Sequence, residues 1–153
     1  MSKITPFLWF DSQLEEAIEL YGRVFPDVRI VSRHDGPDGS LFWGEFELAG
    51  TRFMGMNAGP HHEFNEAVSF FIDCAGQAEV DHYWSGLTAD GGQESQCGWL
   101  KDKFGVSWQV VPNAVMESTV YGPDPEGAQR AMQAMLSMQK LDVAALEAAY
   151  RGE

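Results

Sequence analysis

The residues that could do chemistry gather in a few places. "QCGWLKDKFGVSWQVVP", Gln96 to Pro112, sets Cys97, Lys101, Lys103 and Gln109 around two Trp. Just after Pro60, His61, His62 and Glu63 are consecutive, while His34 and His82 stand apart. Imidazoles and carboxylates together suit metal binding or acid–base work. Neighbours on an extended segment point to opposite sides, so His61, His62 and Glu63 do not easily face one ion. A solvated loop is the simpler reading, and it leaves His61 at a cavity mouth as an acid or base. Cys74 and Cys97 form no CxxC pair, which excludes a structural zinc knot; both are expected as buried thiols. No GxSxG elbow is present for a nucleophilic serine.

These groups sit in a chain of 153 residues, enough for one domain, with 44% hydrophobic residues for a core. The formal charge is -13, and the ten Lys and Arg are scattered. Phosphates need clustered cations opposite them, so nucleic acid is excluded as a partner. The acidity suits solubility. No apolar run reaches membrane-helix length, and no basic-then-apolar start reads as a signal peptide. A cytoplasmic protein with no membrane partner is expected.

The elements that must position these groups follow from patterning. "ITPFLWF", Ile4 to Phe10, reads as a buried strand. Ser12 and Glu15 form an S-x-x-E capping box ahead of a helix, with Leu14, Ala17, Ile18, Tyr21, Val24 and Phe25 on one face. Strands are expected over 28–34, 40–48 and 51–57, with "DGPDG" and Ala49-Gly50 as turns and Phe42, Phe46 and Leu48 on one face. The order then repeats. A strand is expected over 67–74, a helix over 77–87, a strand over 95–100, a solvated turn at Lys101, Asp102 and Lys103, and a last strand over 106–112. Displacing the chain by 62 positions sets Phe10 on Ile72, Asp11 on Asp73, Ile18 on Val80, Tyr21 on Tyr83 and Phe25 on Leu87 without a gap.

The fold class expected is α+β: two paired βαβββ modules, 3–58 and 66–112, forming a curved mixed sheet around a cavity, plus C-terminal helices over 123–151. In that tail Asp124 is an N-cap with Pro125 at the first helical position, and Met132, Met135 and Leu136 form an apolar seam. Asp142 caps a last helix, with Leu141 and Leu146 as a hydrophobic staple.

"KITPFLWFD", "LEEAIELYGRVFP", "FMGMNAGPH", "EAVSFFIDC", "QCGWLKDKFGVSWQVVP" and the tail from Ala128 to Tyr150 carry a resemblance over nearly the whole chain. It resembles the vicinal oxygen chelate, or glyoxalase/bleomycin-resistance, superfamily, in its PhnB-like branch, often labelled 3-demethylubiquinone methyltransferase. The resemblance implies a homodimer. It also implies a cavity where enzymes of the superfamily hold a divalent metal, with His and Glu from the first and last strand of each module, as a Lewis acid for lyase, isomerase or dioxygenase chemistry.

Carried over, those ligand positions fall near Thr5 or Pro6, near Met54, at Ala67 or Ser69, and on Gln109, where those enzymes have Glu. None is His, Asp or Glu, so a divalent metal is disfavoured and no cofactor is expected. A methyltransferase would need a Gly-rich turn leading from a strand into a helix, and neither "DGPDG" nor "ADGGQ" is so placed. What remains is a small apolar or aromatic ligand. Alternation puts Thr5, Phe7 and Trp9 on one face, Ser69 and Phe71 on the matching face, and Ser107, Gln109 and Val111 together. The cavity candidates are thus Thr5, Phe7, Trp9, His61, Met54, Ser69, Phe71 and Gln109. The alternative is that these side chains fill the interior as core.

Overall fold

The computed structural model describes residues 2–153. The chain divides into two compact units, one running to Phe64 and one from Asn65 to Glu153. In the first, β1 (Phe7–Phe10) leads into α1 (Leu14–Val24), then β2 (Arg29–Asp35), β3 (Leu41–Leu48) and β4 (Thr51–Asn57). The strands form one mixed sheet in the order β1-β4-β3-β2, with β1 parallel to β4 and the other pairs antiparallel.

α1 forms where the apolar spacing predicts it, and Leu14, Ala17, Ile18, Leu20, Tyr21 and Val24 are all buried. Its start differs from expectation. The N-cap is Gln13, which makes no side-chain cap. Instead Asn57, at the end of β4, accepts the Leu14 N–H at 2.9 Å and donates to Leu41 O at 2.9 Å. A helix pinned by the strand beneath it needs no local box. Gly55 lets α1 lie close, since a Cβ there would stand 2.7 Å from Leu14 Cδ1.

Alternation in β3 breaks at Phe42, which is 45% exposed while Phe46 and Leu48 are buried. The β2–β3 register slips twice, leaving Val31 and Phe42 as the extra residues of two bulges. Each bulge turns its hydrophobic side chain out of the pleat.

The second unit repeats the plan: β5 (Phe70–Asp73), α2 (Gln77–Thr88), then β6 (Gln93–Glu94), β7 (Trp99–Lys101) and β8 (Ser107–Val111), in the order β5-β8-β7-β6 with β5 parallel to β8. Of the strand expected over 95–100, only Trp99 and Leu100 are strand, the start of β7, and 95–98 form the turn between β6 and β7. Cys97 and Gly98 carry φ of 58° and 86° there, and Ser95 N–H bonds Trp99 O at 2.9 Å. The strand expected from Ala67 starts only at Phe70.

Three helices close this unit: α3 (Asn113–Ser118), α4 (Pro125–Leu136) and α5 (Val143–Arg151). The expected caps are in place: Asp124 accepts from Gly127 N and Asp142 from Ala145 N. α3 carried no readable sequence signal. The helices build their own core with the end of β8, from Val111, Met116, Val120, Ala131, Leu141 and Leu146, with Met132 and Met135 packed against it. Leu136, placed in that seam by spacing, is 53% exposed.

Candidate functional site

Each sheet has one face under its helix and one face opposite. In the first unit, Leu8, Phe10, Phe46 and Phe53 lie under α1 and are buried. The opposite face is ordered by register into two rows. One is Phe7–Met54–Glu45–Ser32, the other Trp9–Met56–Trp43–His34. Phe7 is 49% exposed, and Trp9, Trp43, Met54 and Met56 are half-buried. His34 stacks flat on Trp43 with ring centroids 4.0 Å apart. At the other end of that row, Trp9 donates its indole N–H to Gly59 O at 2.9 Å. His62 and His61 stand edge-on to it, at 4.8 and 6.5 Å. The chain turns at Pro60 and His61, and both imidazoles reach one ring, contrary to the extended reading.

A third row on this face is ionic. Arg29 grips Glu47 with two nitrogens at 3.0 and 3.2 Å, and Arg52 lies 3.4 Å from Glu45. The Arg29 hydrogen bond holds the Glu47 carboxyl below the ordinary carboxylate range. Thr5 precedes β1, outside the rows, and lines a separate groove of about 440 Å³ with Pro6 and Arg52.

In the second unit, Trp84 of α2 donates to Glu94 Oε1 at 2.5 Å, and Glu94 is the register partner of Leu100. Leu100, Trp108 and Val110 therefore lie under α2. The opposite face carries the row Phe71–Gln109–Trp99 and, beside it, Ser107–Lys101. Gln109 Nε2 donates to Ser69 Oγ at 3.0 Å. Phe71 is 51% exposed. Lys101 pairs with Glu66 and holds its carboxyl below the ordinary range through that hydrogen bond. Ser107 is 2% exposed, and its Oγ is buried without a hydrogen-bond partner among the described residues.

The structure thus brings Phe7, Trp9, Met54 and His61 together on the first sheet, and Ser69, Phe71 and Gln109 on the second. It adds Met56, Trp43, Trp99, Ser107 and Lys101. Register also refines the expected correspondence. Trp9 and Phe71 are 62 residues apart, and their partners are Met56 and Gln109. Gln109 is thus the counterpart of Met56, two residues beyond Met54.

A family model described as 3-demethylubiquinone-9 3-methyltransferase matches residues 2–111. The chain belongs to this family. It is PhnB-like. The PhnB protein from Bacillus cereus is 31% identical, with a TM-score of 0.63 over 71% of this chain and 97% of its own. PA1353 from Pseudomonas aeruginosa shares the fold at 17% identity and TM-score 0.58, over 71% and 95%. So does the fosfomycin resistance protein FosX from Listeria monocytogenes, with manganese(II) and sulfate bound, at 17% and 0.51 over 71% and 89%. No curated protein matches the chain. Helices α3 to α5 lie beyond the part that the family model matches.

The resemblance to the vicinal oxygen chelate superfamily implies a divalent metal, and the donor set of this PhnB-like chain does not fit one. One symmetric set of four positions is Trp9, Met56, Phe71 and Gln109. The row before it offers Phe7, Met54, Ser69 and Ser107. None of these eight positions is a carboxylate or an imidazole; Glu45 and His34 stand further along the two rows of the first sheet. Among the described residues no three His, Cys, Asp or Glu gather as a cation would require. The Gly-rich turns do not suit a nucleotide cofactor either: "DGPDG" joins β2 to β3 and "ADGG" follows α2.

Proposed function

We propose that this PhnB-like protein binds a small apolar or aromatic molecule on the sheet faces opposite its helices, without the metal centre of its superfamily. One observation carries the reading. Phe7 and Phe71, on the outer strands β1 and β5, stay about half exposed. On the first sheet Phe7 has the half-buried rings of Trp9 and Trp43 in the neighbouring row, and on the second Phe71 shares its row with half-buried Trp99. Large rings left open beside a few polar groups make a ligand surface. Phe7→Ala and Phe71→Ala change rings that are about half exposed and take away that surface. In a thermal-shift screen of small aromatic molecules, hits that raise Tm for the wild type and lose that effect in at least one of the variants support the reading. A screen without hits, or hits that ignore both variants, defeats it.

The same exposed strands support a homodimer. Ile4 and Val68, beside β1 and β5, are 83% and 67% exposed. Light scattering at micromolar concentration gives the mass of a dimer on this reading and of one chain otherwise.

A further inference from the structure

Lys101 and Ser107 are direct cross-strand neighbours on the face of the second sheet opposite α2. The Ser107 hydroxyl has no hydrogen-bond partner among the described residues, and an unmade hydrogen bond at a buried group is costly. Lys101 is held by Glu66 alone among the ion pairs of the described residues. That carboxylate comes from the segment before β5, while Lys101 is on β7. β8 runs between those strands, so the ion pair reaches across β8 at its Ser107 end. The pair is weakly fixed. Its side chains are 61% and 33% exposed, and exposed pairs exchange partners at little cost.

We propose that this corner binds the carboxylate of a small aromatic acid, and that Glu66 stands in for it in the free protein. This rests on the reading that the face binds a small molecule. The incoming carboxylate takes the Lys101 ammonium from Glu66 and accepts the Ser107 O–H. Its ring lies one row over, against Phe71 and Trp99, with Gln109 between them. A carboxylate fits better than a neutral carbonyl, because Lys101 has a formal charge to satisfy once Glu66 leaves.

The test compares 4-fluorophenylacetate with 4-fluorophenylacetamide by fluorine NMR titration. The acid is expected to bind about five-fold tighter than the amide. Glu66→Gln, at an exposed position, tightens the acid about five-fold and leaves the amide unchanged. Lys101→Met abolishes the preference for the acid, and Ser107→Ala weakens acid binding. Equal binding of the two probes, or no tightening in Glu66→Gln, overturns the inference. The ligand reading survives that outcome as long as Phe71→Ala still weakens both. Binding of neither probe overturns the carboxylate proposal, and the thermal-shift screen then decides the ligand reading by itself.

Discussion

Trp108 donates its indole N–H to Asp102 Oδ2 at 2.9 Å, with both residues buried. The other oxygen of Asp102 accepts the N–H groups of Phe104 and Val106, at 2.9 and 3.1 Å. One carboxylate therefore folds the turn between β7 and β8 and ties it to the strand that follows. Residues 101–103 read as a solvated turn in sequence, yet Asp102 is 3% exposed.

Asp102→Ala removes the carboxylate that accepts three N–H groups, and the expected loss is about 3 kcal/mol in urea unfolding. Trp108→Phe removes one of those bonds and little volume, for a loss of about 1–2 kcal/mol. A turn held by backbone geometry alone would make the two losses equal, or reverse their order.

Asn57, rather than Ser12, holds the start of α1. Asn57→Ala leaves the Leu14 N–H and the Leu41 carbonyl without their partner, and is expected to cost about 2 kcal/mol. Ser12→Ala should change stability by less than about 0.5 kcal/mol. A larger loss for Ser12→Ala would restore the capping box.

Local signals were legible in the sequence, and distant ones were not. Asp124 and Asp142 cap helices three residues away, and both read correctly. Asn57 caps a helix 43 residues back in sequence, which no window over Ser12 detects. Strand parity identified the open face with Phe7 and Trp9 on it. Pairing Gln109 with Phe71, and so with the Trp9–Met56 pair, needs the register itself. The bulge at Phe42 and the left-handed Cys97 are likewise set by tertiary pairing, so the alternation rule misread both segments.

Gly55 is where α1 touches the sheet. Gly55→Ala drives a Cβ to 2.7 Å from Cδ1 of the fully buried Leu14. The expected loss is about 1–3 kcal/mol. Leu14→Ala costs about 2–4 kcal/mol by itself, but the double variant should be less destabilised than the sum, because one change relieves the other. Strict additivity in denaturant melts would mean that the helix does not rest on Gly55.

Cys74 gives a pH dependence with a definite sign. Burial pushes its thiol from 9.0 up to about 12. The folded state therefore keeps the proton where the unfolded chain has already lost it. Stability linked to this thiol is intact below pH 9 and falls as pH rises toward about 12. Cys74→Ala removes that linkage. The gap in stability between wild type and Cys74→Ala should shrink as pH climbs through this window, although the wild type is better packed at neutral pH. The thiol should also resist Ellman's reagent at pH 8 until the protein unfolds, since a protonated, 1% exposed sulfur is neither nucleophilic nor reachable. Two thiols labelled at once in the native protein would place Cys74 outside the core and remove the linkage with it.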